Sequence, residues 1–391
     1  MSRAAQFAVF VAVAVAVLAA VHMYLWLRLV RDTALVTPWR QVASIGLAAL
    51  AVSIPLSMGL GRMLPFPIAK HASAAPFVWM GAMVLLVFWF AAADLLRVGA
   101  HFAAKAAGSW FLSGHRLTIA RAVAVAGLGV VAVLTGIAVH VGARTPAVHD
   151  LELRVPSLPR SMDGFTIVQI SDLHIGESRD GAWVREVVDR VNDLKPDLVA
   201  ITGDLVDASP GQLRSEVAPI GALVAPYGVY FVTGNHELYS GLAEWLPVFR
   251  ELGLRVLRNE RVSIGAGAES FDLLGVDDDA AHGADGERGP DLAKAAAGRD
   301  PNRAAVLLAH QPKVARDAAA YGVDVVLAGH THGGQIWPFS ALVRLQQPYL
   351  RGLYAVSART RLYVTDGTGF WGPPMRLGTR NEIVRIVLRA G

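Results

Sequence analysis

Four apolar stretches in the first third of the chain constrain its fold more than any other feature. Each is close to the ~20 residues that a helix needs to cross the hydrocarbon core of a bilayer. The stretches cover Ala5–Leu27, Val42–Leu60, Pro76–Leu96 and Ala122–Val141. The composition agrees, since 53% of the residues are hydrophobic and only 17% are charged. We therefore predict a membrane region over residues 1–146 with about four transmembrane helices.

The first stretch also has the composition of a cleaved signal peptide, because Arg3 precedes an Ala-rich core. Three further apolar stretches follow it, which favours a retained first helix and a multi-pass protein of the cell membrane. Lys and Arg are slightly more frequent in the loops after the first and third stretches than on the opposite side. This narrow bias favours a globular part outside the cytoplasm.

Charge is divided unevenly along the chain. Residues 1–146 hold eleven Lys and Arg against two acidic residues, whereas the remainder holds 25 basic and 30 acidic residues. The net charge of +4 therefore reflects basic loops beside lipid and is no argument for nucleic-acid binding. Cysteine is absent, which excludes disulfides and thiolate metal sites. The bilayer is the partner that the composition implies, and no protein partner is inferred.

From about His149 the pattern changes to short β-branched runs that alternate with helical segments, which predicts an α/β domain over residues 149–391. The predicted strands are Phe165–Ile170, Leu198–Ile201, Val229–Thr233, Phe271–Gly275, Ala304–Leu308, Val323–Leu327, Leu362–Thr365 and Ile383–Leu388. The predicted helices are Ala182–Leu194, Gln212–Val224, Leu242–Leu252 and Val314–Tyr321. Polar groups that follow such strands gather at one sheet edge, where ligands bind in open α/β sheets.

Five polar motifs each follow one of the apolar runs. They are Ser171-Asp172-Leu173-His174, Thr202-Gly203-Asp204, Thr233-Gly234-Asn235-His236-Glu237, Leu308-Ala309-His310 and Gly329-His330-Thr331-His332-Gly333. Extended residues two apart point the same way, so an Asp-x-His or His-x-His pair can present two ligands together. The preceding glycines allow close approach of the backbone. The mixed Asp, His and Asn set suits divalent Mn, Fe or Zn.

Taken singly, most of these motifs are also typical of turns and helix caps. Gly-His-Thr-His-Gly is the most specific piece, and a lone Gly-Asp is the least. All five in order, each after a strand, favour a shared metal site over five unrelated turns. The remaining histidines, such as His71 and His149, have no comparable neighbours and are read as ordinary residues.

The order of these motifs resembles that of calcineurin-like metallophosphoesterases, over about Phe165 to Glu382. The chain is similar to the bacterial branch with a membrane anchor, through Ser171–Gly176, Ala309–Pro312, Gly329–Gln335 and Gly367–Arg376. The resemblance implies a β-sandwich core flanked by helices and an enzyme that hydrolyses phosphoester bonds with two divalent ions.

The resemblance also implies roles for individual residues. Asp172, His174 and His332 would bind one ion, and Asn235, His310 and His330 the other. Asp204 would bridge them. His236 would contact the phosphate and protonate the leaving oxygen, and Glu237 would orient His236. Two ions ~4 Å apart clamp phosphoryl oxygens and activate water. Arg376 is interpreted as a surface residue in preference to a phosphate contact, and residues 370–374 as a pocket rim or a packed corner.

The substrate is left open by these patterns. Related bacterial enzymes cleave the pyrophosphate of UDP-2,3-diacylglucosamine, so a nucleotide-linked glycolipid is one candidate, although it would require a cytoplasmic domain. A phosphodiesterase or protein phosphatase for soluble substrates is an alternative, and a non-catalytic membrane sensor is another. The complete ligand set disfavours the sensor.

Overall fold

The computed structural model describes residues 3–61, 63–64, 66–106, 114–281 and 289–391. The chain divides into two compact units. One comprises Met1–Leu64 and His71–Ile137, and the other comprises Pro65–Lys70 and Ala138–Gly391.

Four long helices occupy the apolar part of the sequence. They are α1 (Arg3–Trp26), α2 (Trp39–Gly61), α3 (Phe66–Ala106) and α4 (Arg116–Ala143). All four are long and apolar enough to cross a membrane, as the sequence predicted. Helix α3 has 41 residues and extends well beyond the predicted Pro76–Leu96. Its Ala-rich flanks explain the extension, because alanine has the highest helix propensity.

Two six-stranded sheets form the centre of the second unit. The first has the order β1-β12-β2-β3-β4-β5 and the second β10-β11-β9-β8-β7-β6. The first sheet contains β1 (Ala147–Val155), β2 (Thr166–Ile170), β3 (Leu198–Ile201), β4 (Val229–Phe231), β5 (Arg255–Val256) and β12 (Glu382–Ala390). The second contains β6 (Glu260–Ala266), β7 (Glu269–Gly275), β8 (Ala305–Leu308), β9 (Val325–Ala328), β10 (Gly352–Ala355) and β11 (Arg361–Val364).

Helices flank the two sheets, and all but the last of them bury side chains in the unit. They are α5 (Gly181–Asp193), α6 (Pro210–Val217), α7 (Asn235–Tyr239), α8 (Leu242–Glu251), α9 (Leu292–Ala295), α10 (Ala315–Ala318) and α11 (Ser340–Gln346). The alternation of side chains along each strand makes this layering possible. In β2, Ile167 packs in the core between the sheets, whereas Val168 packs in the core beneath the helices. The unit is therefore the predicted β-sandwich flanked by helices.

The eight predicted strands and the predicted helices Ala182–Leu194 and Leu242–Leu252 are present, with boundaries shifted by at most two residues. The predicted helices Gln212–Val224 and Val314–Tyr321 are only partly α-helical, because α6 ends at Val217 and α10 covers Ala315–Ala318, with 3-10 turns beside them. The strands that the sequence did not reveal are β1, β5, β6 and β10. Strand β5 has only two residues, and β1 is half exposed with charged side chains. Pairing with β12 over nine positions stabilises β1, and this long-range partner leaves no local signal.

Candidate metal centre

The predicted ligands meet where the carboxyl ends of parallel strands from both sheets approach each other. Strands β2, β3 and β4 are parallel neighbours, and so are β8 and β9. The five polar motifs follow these five strands. The loops after β2 and β3 run side by side, with the His174 amide donating to the Asp204 carbonyl at 3.1 Å.

The donor atoms of the predicted ligands separate into two groups, and a third set, His174, Asp207 and His236, adjoins them. The first contains Asp172, His174 and His332, and the second Asp204, His310 and His330, with donors in each group within 4.8 Å of one another. In the first group, His332 Nε2 lies 3.1 Å from His174 Nε2 and 3.5 Å from Asp172 Oδ1. In the second, His310 Nε2 lies 3.1 Å from His330 Nδ1.

Asp204 lies between the two groups. Its Oδ2 is 3.1 Å from His310 Nε2 and 3.7 Å from His174 Nε2. Asn235 completes the second group, with its Oδ1 3.2 Å from His310 Nε2. The structure thus brings all seven predicted ligands together, with Asp204 between the two groups.

These spacings suit divalent cations. Ligand atoms bound at ~2.1 Å in tetrahedral or octahedral geometry lie roughly 3.0–3.4 Å apart, close to most of the donor separations here. Neutral imidazole nitrogens and carboxylate oxygens that converge in this way repel one another unless a proton or a cation lies between them. The mixed nitrogen and oxygen set matches Mn, Fe or Zn. The residues present therefore fit two ions, one in each group.

Hydrogen bonds fix the orientation of two ligating rings. His310 Nδ1 donates to the Thr202 carbonyl at 2.9 Å, which leaves Nε2 to face the second group. His174 Nδ1 lies 2.7 Å from Asp207 Oδ1, which leaves its Nε2 to face the first. Such outer partners select the tautomer and direct the lone pair at a metal.

Backbone strain is concentrated at the ligands. Asp172, His174, Asp204, His330 and His332 all have φ between +48° and +73°, a left-handed conformation that non-glycine residues rarely adopt. Each such residue costs about 1–3 kcal/mol and persists only where its surroundings enforce it. Here the paired loops and the hydrogen bond from the His330 amide to Asp172 at 2.9 Å do so.

Two glycines let the backbone pass directly beside ligand carboxylates. A Cβ atom on Gly234 would lie 2.2 Å from Asp204 Oδ1, and one on Gly329 would lie 2.3 Å from Asp172 Oδ2. No side chain fits at either position. Glycine at these two positions therefore has a steric cause.

The imidazoles differ in their affinity for protons. Burial, with repulsion from His310, lowers the pKa of His330 to about 3. Burial, with repulsion from His174, lowers the pKa of His332 well below its usual value. Both rings are therefore neutral at pH 7, which is the form that binds metal. Burial would also lower the pKa of His310, but the charge of Asp204 outweighs it and raises that pKa well above the usual value.

His236 lies beside the ligands and is held by Asp207. Its Nδ1 is 2.8 Å from Asp207 Oδ1, the same oxygen that contacts His174. Burial would lower the pKa of His236, but the nearby Asp204 and the bond to Asp207 raise it to about 9. The ring also packs edge-on against Trp371, with centroids 5.7 Å apart.

Glu237 does not have the role expected from the sequence. Its carboxylate accepts hydrogen bonds from the backbone amides of Gly234, Asp204 and Leu205 at 2.6–3.0 Å. It therefore holds two ligand loops together and caps helix α7. The carboxylate that is bonded to the His236 ring is that of Asp207, which the sequence analysis missed. The one indication in the sequence was that Asp207 follows the predicted ligand Asp204 by only three residues.

The interpretation of Arg376 as a surface residue is wrong. Its side chain is fully buried. It donates to the carbonyls of His332, at 2.8 Å, and Gly369, and to Asn381 Oδ1 at 3.1 Å. Since all three nitrogens have protein acceptors, Arg376 supports the loop of ligand His332 from behind.

Residues 370–374 combine the two interpretations that the sequence left open. Phe370 is buried beneath the Arg179 guanidinium, 4.1 Å from its ring centroid, and belongs to a packed corner. Trp371 is 49% exposed and stands beside His236, so it forms part of the rim.

Comparison with known proteins agrees with this geometry. A family model for calcineurin-like phosphoesterases matches residues 165–334. A transmembrane protein with metallophosphoesterase domain from Danio rerio is 36% identical over 327 residues, which cover 81% of this chain and 74% of that protein. The chain belongs to the calcineurin-like phosphoesterase family.

Two further relatives are similar over shorter stretches of the chain. The Bos taurus protein of the same description is 41% identical over 275 residues, covering 67% of this chain and 61% of that protein. An uncharacterized metallophosphoesterase from Campylobacter jejuni is 37% identical over 248 residues, covering 63% and 64%. The phosphoesterase chain thus spans about three fifths of the length of the Bos taurus relative.

Replacing Asp207 by Asn should weaken two functions at once. The amide keeps the size of the carboxylate but removes the charge that holds His174 and His236. Loss of such an outer partner typically costs ~10–100-fold in metal affinity or activity. Metal titration followed by turnover at saturating metal separates the two effects. Asp150→Asn, at an exposed carboxylate, is the control. Unchanged affinity and unchanged turnover would contradict the positioning role.

Proposed function

We propose that this chain is a membrane-anchored hydrolase of phosphoester or pyrophosphate bonds that uses two divalent ions. The arrangement that carries the proposal is two donor groups on either side of Asp204, with His236 beside them. The catalytic domain would span residues 149–391, and the membrane region residues 1–146. Mn, Fe and Zn are the ions that the donors suit best.

Each residue has a distinct task in this proposal. Asp172, His174 and His332 hold one ion, and Asn235, His310 and His330 hold the other. Asp204 is shared. Bound divalent ions would act as Lewis acids on the phosphoryl oxygens and increase the acidity of water. The protein itself supplies the proton donor for the leaving oxygen.

His236 is the proposed donor. Asp207 occupies its Nδ1, so Nε2 is the atom left to donate a proton to the leaving oxygen. Only a small part of the His236 side chain, 15%, is exposed, which limits competition from bulk water. A non-catalytic sensor would have no use for a histidine held beside seven converging ligands.

We further propose that the substrate is linked to a lipid. Four helices able to cross a membrane keep the enzyme at a bilayer. The narrow bias of Lys and Arg between the loops favours a domain outside the cytoplasm. That location would favour a lipid phosphoester over a nucleotide-linked glycolipid such as UDP-2,3-diacylglucosamine, which requires the cytoplasmic side.

An activity screen of the full chain tests the proposal. The protein is purified in detergent, stripped with a chelator and supplied in turn with Mn, Fe, Zn and Mg. Phosphodiester, phosphomonoester and glycolipid pyrophosphate substrates are then compared. We expect hydrolysis that depends on added metal and disappears on chelation. A fully metallated protein that hydrolyses none of the three classes would overturn the enzymatic proposal and favour the sensor.

A further inference from the structure

An exposed apolar patch lies in the segment that follows ligand His332. We define the patch as Trp337, Phe339, Leu342 and Leu345, whose exposed fractions are 63%, 41%, 49% and 84%. Leu342 and Leu345 belong to helix α11, none of whose seven residues is buried. They are three residues apart and share a face of that helix. Four exposed apolar side chains within nine residues differ from the singly scattered surface hydrophobics that are normal on soluble proteins.

The patch is joined to the mouth of the metal centre. The Gln335 side chain donates to the Trp371 carbonyl at 2.9 Å and accepts from the Trp371 amide at 3.1 Å. The half-exposed Trp371 ring in turn packs against His236. A single residue, Ile336, therefore separates Gln335, at the rim of the site, from Trp337, the first member of the patch.

The patch is also joined to the end of an apolar membrane helix. The Trp337 amide donates to the Leu377 carbonyl at 2.8 Å, and the neighbouring Arg376 amide donates to the Ala138 carbonyl at 2.9 Å. Ala138 lies in the last turns of α4, inside the candidate span Arg116–Ala143. One short loop thus links the patch to the C-terminal end of the candidate span.

The composition of the segment fits a bilayer interface. Tryptophan is enriched at the level of the lipid headgroups, and Leu and Phe insert just below it. Arg344 is exposed within α11, between Leu342 and Leu345 in the sequence. Cationic side chains beside an apolar face are attracted to anionic headgroups.

We propose that this apolar patch sits in the surface of the bilayer that the chain itself spans, and brings the mouth of the metal centre to the headgroups. The substrate then reaches the site from the membrane, as a lipid whose headgroup contains the scissile phosphoester. The proposed contact with lipid depends only on the patch. The proposed substrate class rests in addition on the proposed hydrolase function.

The absence of cysteine from the sequence permits a direct test of the contact. Leu345→Cys and Val224→Cys are each labelled with an environment-sensitive fluorophore in the full chain. Val224 is 69% exposed and lies outside the patch, so it is the matched control. Both proteins are reconstituted into vesicles of phosphatidylcholine and phosphatidylglycerol that contain an acyl-chain quencher.

We expect the label at position 345 to shift to the blue and lose more than half of its emission to the quencher. The label at position 224 should keep nearly all of its emission. Equal quenching at the two positions would overturn the proposal. A blue-shifted label at position 345 that the lipid quencher does not reach would also overturn it, because a protein partner would then cover the patch.

A second comparison separates the lipid contact from the hydrolase function. The double variant Leu342→Asp, Leu345→Asp is assayed beside Val224→Asp on a lipid pyrophosphate in vesicles and on soluble bis-nitrophenyl phosphate. We expect the double variant to lose about tenfold or more on the vesicle substrate, because two charged side chains would oppose insertion of the patch into the bilayer. Its rate on the soluble substrate should be unchanged.

Equal rates for the double variant and Val224→Asp on the vesicle substrate would overturn the proposed route of the substrate. If the unaltered protein hydrolyses neither substrate, the hydrolase function fails, while the quenching experiment still decides whether the patch contacts lipid.

Discussion

Replacing His236 by Ala should slow hydrolysis of an alkyl phosphodiester by ~10²–10⁴-fold, the usual contribution of a general acid. The two ions should remain bound, because His236 is not among the converging ligands. The loss should be smaller for nitrophenyl esters, whose leaving groups are acidic enough to depart without a proton. Turnover and bound metal are measured on the same preparation for both classes of substrate.

His149→Ala is the matched control for this experiment, since His149 stacks on Tyr363 and lies outside the ligand groups. It should keep both its turnover and its metal content. If His236→Ala retains full turnover on the alkyl substrate, His236 has no part in protonating the leaving oxygen. If it loses turnover only in proportion to lost metal or lost folding, its role is structural.

Replacing Asp204 by Asn should impair metal retention in both groups. The substitution preserves shape but removes the negative charge that lies between His310 and His174. The weakening should be at least as large as the ~10–100-fold typical of an outer-shell partner, because Asp204 is placed to bind both ions directly. Metal content after dialysis against a weak chelator is the measurement, followed by turnover with metal restored.

The metal retention of Asp204→Asn is compared with that of two other variants. Asp150→Asn changes an exposed carboxylate and should retain all bound metal. Asp207→Asn changes an outer partner and should fall between Asp150→Asn and Asp204→Asn. An Asp204→Asn protein that retains as much metal as the Asp150→Asn control would contradict the bridging role.

The ligands could be predicted from the sequence because each lies within a few residues of a strand end. Asp204 and His330 follow a short buried run and a glycine, so local pattern alone indicates where they emerge. The layered fold was predictable for the same reason, since alternation and strand length are local properties. The family resemblance added the pairing of ligands, which local pattern does not contain.

The residues that were misjudged depend on contacts across the fold. The role of Glu237 is decided by backbone amides in the loop after β3, more than thirty residues earlier. The burial of Arg376 depends on the loop that carries His332 and on Asn381. The buried partners of Glu237 and Arg376 cannot be predicted from residue type, because Glu and Arg are mostly exposed in proteins.

The metal content of the active enzyme tests the central claim most directly. The full chain is stripped of metal, titrated with one divalent ion at a time, and assayed at each step against bound metal per chain. The two donor groups around Asp204 predict that turnover reaches its maximum only when two ions are bound per chain. A chain that is fully active with a single bound ion would contradict the two-ion site.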